Sequence, residues 1–367
     1  MSTPLSSARK AGDALLDRPA EPLTRRRMRA VQVVCLDGPA ALQLAEVDEP
    51  AADQEHVLID LRAAGVVYPD VLKTRGLYQD RPALPFVLGQ ECAGVVRHAP
   101  AGSALRPGDR VAAFTAAGAF ADVVAVDPDS VLPLPDGISF TQGACLPVNY
   151  LTAHCALLTR GRLRAGETVL VHGAAGGVGS AATQLAVALG ARVIAVVSSP
   201  NKAEVARQAG AAEVVGVSDF SPAVRALTGG RGVDVTVDPV GGDRCVDSLR
   251  CLAPGGRLLV VGFTSGVIPT VKVNRLLLTN TDVVGVGWGA LAQQPGYVQQ
   301  QWTDLLPLLK RGQLTPVIGA TFDLRDVSHA LQLLEDRDLA GRAVLLTDPA
   351  CSDERPARTT NRPEGAP

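Results

Sequence analysis

The chain has 367 residues, of which 47% are apolar and 20% are charged, and its formal net charge at pH 7 is -2. This length allows about two domains with sizeable cores, and the near-neutral charge gives no reason to expect a nucleic-acid or membrane partner. No segment reaches the roughly 18 consecutive apolar residues of a membrane-spanning helix, and seven scattered cysteines indicate a reduced, cytoplasmic protein rather than a disulfide framework.

Residues 1–27 come before the first regular pattern of the chain. They are polar and show neither helical nor strand periodicity, so a disordered extension is predicted. Acidic residues within this segment argue against a transit peptide. An alternative is that Met28, one of only two methionines, is the natural start. A disordered tail is predicted at 348–367.

Residues 28–150 are predicted to form the first part of a β-rich catalytic domain. Its short strands are separated by turns that contain Pro, Gly and Asp. These strands are predicted at 30–35, 56–61, 92–96, 110–114 and 120–126.

From residue 151 the pattern changes to strands that alternate with helices, so residues 151–287 are predicted to form a second domain. Its strands are predicted at 168–172, 192–197, 213–217, 233–237, 257–262 and 282–286. Such a series forms a doubly wound parallel sheet, which binds ligands at the carboxyl ends of its strands. Residues 288–347, with a helix at 298–310 and a strand at 342–346, are predicted to return to the first domain. The fold class is therefore α/β.

Residues 169–179 combine an apolar strand, a glycine turn and the start of a helix. At the positions of the G-x-G-x-x-G fingerprint the turn has Ala174, Ala175, Gly176, Gly177, Val178 and Gly179. Glycines let the backbone approach a pyrophosphate, and a helix N-terminus offers unpaired N–H groups. This pattern predicts a dinucleotide site and redox chemistry. The alternative is a glycine turn of an α/β domain that binds no nucleotide.

The end of the next strand, at 192–197, bears on the choice between NADPH and NADH. NAD enzymes place a carboxylate there to bind the ribose 2′-hydroxyl. This chain instead has Ser198, Ser199 and Lys202, whose hydroxyl and ammonium groups can hydrogen-bond a phosphate. Ser199 and Pro200 also suit the N-cap and first position of a helix, and the two roles are compatible. NADPH is therefore the predicted cofactor, and NADH remains open.

Seven short segments carry a resemblance to a known family, at 76–79, 84–96, 107–111, 149–153, 174–179, 238–242 and 254–258. In order and in sequence they resemble the medium-chain dehydrogenases/reductases, and among these the zinc-independent quinone oxidoreductases that include zeta-crystallin. The resemblance implies a GroES-like catalytic domain, a Rossmann domain and an active site in the cleft between them. It also implies a homodimer whose Rossmann sheets join edge to edge, through residues 282–286.

The resemblance also implies which residues bind the cofactor. Asn149 and Thr152 would approach its nicotinamide half, and Ser198 with Lys202 its adenosine phosphate. The pyrophosphate would lie against Ala175, Gly176, Gly177 and Val178, and the nicotinamide ribose against Gly262, Phe263 and Thr264.

Three residues are the catalytic candidates: Tyr78, Tyr68 and Asp70. Tyr78 stands where related enoyl reductases carry a tyrosine proposed as a proton donor. Its alternative role is that of a cleft-lining aromatic without proton transfer. Tyr68 could replace a lost polar contact of the cleft, or could equally be a buried core aromatic.

The zinc ligands of alcohol dehydrogenases are not found at the matching positions. Residues 64–70 contain no cysteine, Gln90 stands in place of a histidine, and the five histidines show no metal-ligand spacing. No metal site is therefore predicted. Val67 and Leu72 replace the Asn and Tyr common in quinone oxidoreductases, which makes the cleft more apolar, and Val217 replaces a Tyr near the adenosine phosphate.

These observations predict a metal-independent, NADPH-dependent oxidoreductase that transfers hydride to a small-molecule acceptor, a quinone or a similar electrophilic carbonyl compound. One alternative is an enone, enal or enoyl-thioester reductase in which Tyr78 donates the proton. Another is a nucleotide-binding sensor with little turnover. The absence of a basic aromatic stripe argues against RNA as a partner.

Overall fold

The computed structural model describes residues 26–347, and within this range the chain forms sixteen strands and eleven α-helices. The strands are β1 (Arg27–Val33), β2 (Gln43–Asp48), β3 (Val57–Gly65), β4 (Phe86–Val87), β5 (Glu91–His98), β6 (Arg110–Phe114), β7 (Val123–Val126), β8 (Val131–Pro133), β9 (Thr168–His172), β10 (Arg192–Val197), β11 (Glu213–Gly216), β12 (Val233–Asp238), β13 (Leu252–Val260), β14 (Asp282–Gly285), β15 (Ile318–Asp323) and β16 (Arg342–Leu346).

The helices connect these strands and cover the sheets that they form. They are α1 (Tyr68–Thr74), α2 (Phe140–Gly143), α3 (Pro147–His154), α4 (Gly177–Ala188), α5 (Pro200–Gln208), α6 (Phe220–Leu227), α7 (Asp243–Cys251), α8 (Asn274–Thr279), α9 (Trp288–Ala292), α10 (Tyr297–Lys310) and α11 (Val327–Glu335). None of the helices in residues 26–347 is long and apolar enough to cross a membrane.

A six-stranded parallel sheet forms one half of the molecule, in the order β11-β10-β9-β12-β13-β14. Its central strands are runs of buried Val, Leu, Ile and Ala, because helices cover both faces of such a sheet. The order places β9 beside β12, where the direction of winding reverses. Ligands of doubly wound sheets bind at this point, outside the carboxyl ends of the strands.

A mostly antiparallel sheet of seven strands forms the other half, in the order β15-β16-β3-β5-β6-β8, with β7 also paired to β3. The strands β15 and β16 come from the C-terminal part of the chain, so this sheet combines segments that precede and follow the parallel sheet in the sequence. A third, three-stranded sheet has the order β2-β1-β4. The division of the chain into domains at 150/151 and 287/288 stays a prediction.

Several predicted element boundaries were wrong. The strand predicted at 257–262 ends at Val260, because the chain turns there into the loop that carries Phe263. The strand predicted at 120–126 starts only at Val123. Arg27, assigned to the extension, is the first residue of β1 and pairs with Asp48 of β2. Residues 1–25 of that extension, and the tail at 348–367, lie outside the described residues.

Candidate active site

The glycine turn between β9 and α4 is shaped by close backbone packing. Gly173 has a φ of 58°, and a Cβ on Gly179 would lie only 2.1 Å from the carbonyl oxygen of Gly173. Gly176 is the N-cap residue of α4, and within the described chain no side chain caps this end of the helix. The first amide groups of α4 are therefore available to an anion, and the positive end of the helix dipole favours one.

Residues of the opposite half of the molecule lie directly on this turn. A Cβ on Gly177 would be 2.3 Å from Oδ1 of Asn149, on α3, and 2.6 Å from a guanidinium nitrogen of Arg342, on β16. The amide of Gly341 donates to the carbonyl oxygen of Ala175 at 3.1 Å. A side chain at position 177 would collide with Asn149 and Arg342, so the bare glycine lets these two groups contact the start of α4. Thr152 lies one helical turn after Asn149 and is half-buried.

A buried carboxylate, Glu91 of β5, holds these groups together. It accepts hydrogen bonds from the amide of Val148 at 2.8 Å and from the side chain of Asn149 at 3.3 Å, and it is paired with Arg342. Burial raises the pKa of Glu91 to about 7, although Arg342 opposes this shift. The Nε atom of Arg342 is buried and has no hydrogen-bond partner among the described residues. A diphosphate on the glycine turn would supply an acceptor near this guanidinium.

Asp70 lies on α1 and is fully buried. Its carboxylate accepts from the amide of Val67 at 2.9 Å and from the side-chain amide of Gln90 at 3.3 Å. Burial raises the pKa of Asp70 to about 7. Gln90, which stands where a zinc-ligand histidine is expected, is thus engaged with Asp70, and an amide nitrogen turned toward a carboxylate does not form the donor set of a zinc site.

Tyr78 and Lys73 lie beside this carboxyl. The Lys73 ammonium is buried, 5.4 Å from the centre of the Tyr78 ring, and it donates to Asp80 at 3.0 Å and to the carbonyl of Ala116. Burial, with Asp70 and Asp80 nearby, raises the pKa of the half-buried Tyr78. Tyr78 is therefore a neutral phenol at physiological pH, which a proton donor must be, but it is a weak acid.

Tyr68 and the loop after β13 meet across the two halves of the molecule. The Tyr68 hydroxyl donates to the carbonyl oxygen of Thr264 at 3.4 Å, and Arg337 donates to the same oxygen at 2.8 Å. Tyr68 is half-buried, so it is not a residue of the core. The neighbouring Phe263 is 39% exposed. The candidates Gly262, Phe263 and Thr264 therefore face the half that carries Tyr68.

The residues predicted to bind the adenosine phosphate lie together at the end of β10. Ser199 caps α5 by accepting from the amide of Lys202 at 3.4 Å, as the sequence predicted. The Lys202 ammonium donates to Ser198 at 3.4 Å and to the carbonyl of Arg337 at 2.6 Å. Burial lowers the pKa of Lys202. A cavity of about 770 Å³ opens beside these serines.

The histidines have local partners in every case. Within residues 26–347, no group of three or more His, Cys, Asp or Glu side chains is arranged to hold a metal ion. The contacts of the histidine rings are His56 with Asp53 at 2.9 Å, His98 with the Asp53 carbonyl at 2.8 Å, His154 with Asp304 at 3.0 Å, His172 with Ser248 at 2.7 Å, and His329 with the ring of Phe322 at 5.8 Å.

Comparison with known proteins places this geometry in a family. The family model for zinc-binding dehydrogenases matches residues 177–311, and that for the alcohol dehydrogenase GroES-like domain matches residues 53–136. The quinone oxidoreductase-like protein 2 of Rattus norvegicus is 37% identical over 343 residues, which are 92% of this chain and 97% of that protein. The chain belongs to the quinone oxidoreductase-like group of the medium-chain dehydrogenases/reductases. The predicted family is thereby confirmed.

Solved structures of similar proteins confirm the predicted fold. A probable oxidoreductase from Mycobacterium abscessus is 43% identical, with a TM-score of 0.81 over 88% of this chain and 99% of that one. The quinone oxidoreductase of Thermus thermophilus, solved also in complex with NADPH, is 34% identical, with a TM-score of 0.77 over 87% of this chain and 100% of that one. This quinone oxidoreductase-like chain is accordingly an enzyme that combines a GroES-like and a Rossmann domain.

Sequence reasoning missed four residues of this quinone oxidoreductase-like site: Glu91, Arg342, Arg337 and Arg244, which lines the cavity beside Ser198. A signal existed for the first two. Each is a charged residue at the start of a strand and is followed directly by a run of apolar residues or glycine, and charged side chains are rarely buried unless they are paired. For Arg337 and Arg244 no local pattern gives such a signal.

Proposed function

We propose that this chain transfers hydride from NADPH to a quinone or a similar electrophilic carbonyl compound, without a catalytic metal. The observation that carries the proposal is the start of α4, where the first amide groups have no side-chain cap and where Asn149 and Arg342 pack directly against the bare Gly177. When bound, the cofactor supplies the hydride. The relative from Thermus thermophilus, solved with NADPH, supports the same choice of cofactor.

The glycine turn, Asn149 and the end of β10 form the cofactor side of the site. Each would contact a different part of the nucleotide. The amides of Gly177 and Val178 would donate to the pyrophosphate at the helix N-terminus. The serine and lysine side chains at the end of β10 would hold the adenosine phosphate, since no carboxylate competes for that position. Asn149, fixed by its bond to Glu91, would orient the nicotinamide end.

The acceptor side of the site is the region around Tyr68, Asp70, Lys73 and Tyr78. It offers aromatic and apolar groups to a ligand, because its charged groups have hydrogen-bond partners within the chain. Asp70 accepts two hydrogen bonds, and the Lys73 ammonium is held by Asp80 and a carbonyl. Such a surface suits a flat, apolar acceptor that takes hydride without a Lewis acid. It would position the acceptor and exclude water.

A second candidate function is the reduction of enones, enals or enoyl thioesters. The observation that favours it is Tyr78, a half-buried phenol held beside the Lys73 ammonium and close to Asp70. A protonated phenol in this place could donate the proton that such a reduction requires.

The test is oxidation of NADPH and of NADH with a panel of quinones, enones and enoyl thioesters, in the presence of a metal chelator. We expect chelator-insensitive turnover of quinones, faster with NADPH. Turnover only of enones or thioesters would replace the proposal by the second candidate. Binding of NADPH without turnover of any acceptor would contradict both and favour a nucleotide-binding sensor.

We also propose that the chain forms a homodimer through β14, the edge strand of the parallel sheet. The preceding segment exposes a series of apolar side chains, and Leu277 and Leu278 on α8 are each 78% exposed. Such a patch beside an open sheet edge is typical of a protein interface. Sedimentation equilibrium should give twice the chain mass, and a monomer at all concentrations would contradict the proposal. The cytoplasmic location stays a prediction.

A further inference from the structure

A cavity of about 770 Å³ lies between the carboxyl ends of β10 and β11. One side is lined by Ser198 and Ser199, and Arg207 on α5 stands at its border, where it pairs with Glu204 at 3.7 Å. Arg244, near the start of α7, also lines the cavity. The cavity thus combines three serine hydroxyls, of Ser198, Ser199 and Ser218, with two guanidinium groups and the carboxylate of Asp219. It adjoins the position where the ribose of a dinucleotide is expected.

Arg244 is the unusual member of this group. It is half-buried, and within residues 26–347 its guanidinium has neither a hydrogen bond nor an ion pair. Burial, together with the nearby guanidinium of Arg337, lowers the pKa of Arg244, and Asp238 only partly compensates. A partly desolvated cation without a partner costs free energy, and an anion in the cavity would offset that cost.

The other charged groups around the cavity do not satisfy Arg244. Asp219 lines the cavity, but it is exposed and makes no ion pair with this arginine. The carboxylate of Asp238 accepts hydrogen bonds from the amides of Val240 and Gly241, both at 2.9 Å. Of the two guanidinium groups that line the cavity, Arg207 is paired with Glu204, so Arg244 is the cation that an anion in the cavity would pair with.

We propose that Arg244 binds the adenosine 2′-phosphate of NADPH, together with Ser198 and Ser199, and thereby determines the preference for NADPH over NADH. This rests on the proposed function, which requires a nicotinamide dinucleotide at the same sheet edge. A guanidinium can donate two parallel hydrogen bonds to a phosphate, and the serine hydroxyls can donate from the other side. NADH lacks the phosphate and would leave Arg244 without a partner.

The test measures binding rather than turnover. The variant Arg244→Ala is titrated with NADPH and NADH, followed by the fluorescence of the reduced nicotinamide, and with adenosine 2′,5′-bisphosphate and ADP by calorimetry. We expect the Kd for NADPH and for the bisphosphate to rise about 30-fold, equivalent to about 2 kcal/mol. The Kd for NADH and for ADP should change less than about twofold.

Arg250→Ala is the matched control, because Arg250 lies on the same helix, is exposed and pairs with Asp247. It removes the same charge without touching the cavity and should leave both affinities unchanged. Equal weakening of NADPH and NADH binding by Arg244→Ala, or the same effect in Arg250→Ala, would overturn the inference. Failure of the wild-type chain to bind either dinucleotide would overturn the proposed function and the inference with it. Arg244→Lys should recover part of the NADPH affinity, which excludes misfolding as the cause.

Discussion

The cofactor side and the acceptor side of the site differ in whether their charged side chains are neutralised within the chain. On the cofactor side, Lys202 donates only to a hydroxyl and a carbonyl, and Arg244 has no partner among the described residues. On the acceptor side, Asp70 and Lys73 are buried and satisfied by donors and acceptors of the chain itself. One side therefore presents positive charge to a ligand, and the other presents neutral aromatic surface.

The proposed function, a dinucleotide on one side and a quinone on the other, would account for this difference. A dinucleotide carries its charges permanently, so uncompensated cations gain a partner when it binds. A quinone is neutral before it takes hydride, so a free buried charge would only bind water or counter-ions. The Glu91–Arg342 pair lies between the two sides and contacts both Asn149 and the glycine turn. It should accordingly be the most sensitive point of the site.

The largest effect is expected for Arg342→Met, which leaves Glu91 buried without its cation. The free energy of unfolding should fall by about 3–5 kcal/mol, the usual cost of breaking a buried pair. Chemical denaturation followed by circular dichroism measures this change. Adding Glu91→Gln should recover at least half of the loss, because the amide still accepts from Val148 but carries no charge.

The exposed pair of Arg27 and Asp48, with nitrogen and oxygen 2.8 Å apart, serves as the control for this prediction. Arg27→Met should change the free energy of unfolding by no more than about 1 kcal/mol, since surface ion pairs contribute little. Equal changes in the free energy of unfolding for Arg27→Met and Arg342→Met would show that burial of the Glu91–Arg342 pair does not contribute to stability.

The next largest effect tests the cofactor side. In Gly177→Ala the new Cβ would collide with Asn149 and Arg342, whereas in Gly176→Ala it would meet only the carbonyl of Gly173, at 3.3 Å. We expect Gly177→Ala to raise the Kd for NADPH about 100-fold, equivalent to about 2.7 kcal/mol, and Gly176→Ala to raise it less than about fivefold. Fluorescence titration of both variants decides this. Similar Kd values would mean that the contact at Gly177 does not shape the dinucleotide site.

A pH experiment tests whether Asp70 is neutral in the folded chain. Burial raises the pKa of Asp70 to about 7, above its value in the unfolded chain. The stability that protonated Asp70 contributes is therefore present at low pH and is lost as the pH rises through 7. Between pH 5 and 8 this loss should amount to about 2 kcal/mol in the wild type and be absent in Asp70→Asn.

Urea denaturation at both pH values measures this difference, and the contribution of Glu91 is common to both proteins. The exposed Asp136→Asn is the control and should keep the pH dependence of the wild type. The same pH dependence in Asp70→Asn as in the wild type would indicate that Asp70 is ionised throughout. The acceptor side would then carry a buried negative charge instead of a neutral surface.

The two sides also differ in how far the sequence predicts them. The glycine turn and its flanking strands at 168–172 and 192–197 have the predicted bounds, because long apolar strands and turn glycines are local signals. The short or half-exposed strands β2, β4, β8 and β15 have no such signal and were missed. Arg244 and Arg342 join the site from distant parts of the chain. Their roles depend on tertiary contacts that no local pattern records.

The smallest effect on activity is expected for Tyr78→Phe. This variant tests which class of acceptor the enzyme reduces. The hydroxyl makes no hydrogen bond within the described residues, so its removal leaves the ring beside Lys73 in place. Hydride transfer to a quinone needs no strong acid, and kcat/KM should change less than about threefold, below about 0.7 kcal/mol. Tyr68→Phe is the companion variant, since it removes the contact with Thr264 instead. A loss of 100-fold or more with an enone, but not with a quinone, would identify Tyr78 as a proton donor. A similar loss of kcat/KM with quinones would show that quinone reduction also depends on the hydroxyl of Tyr78.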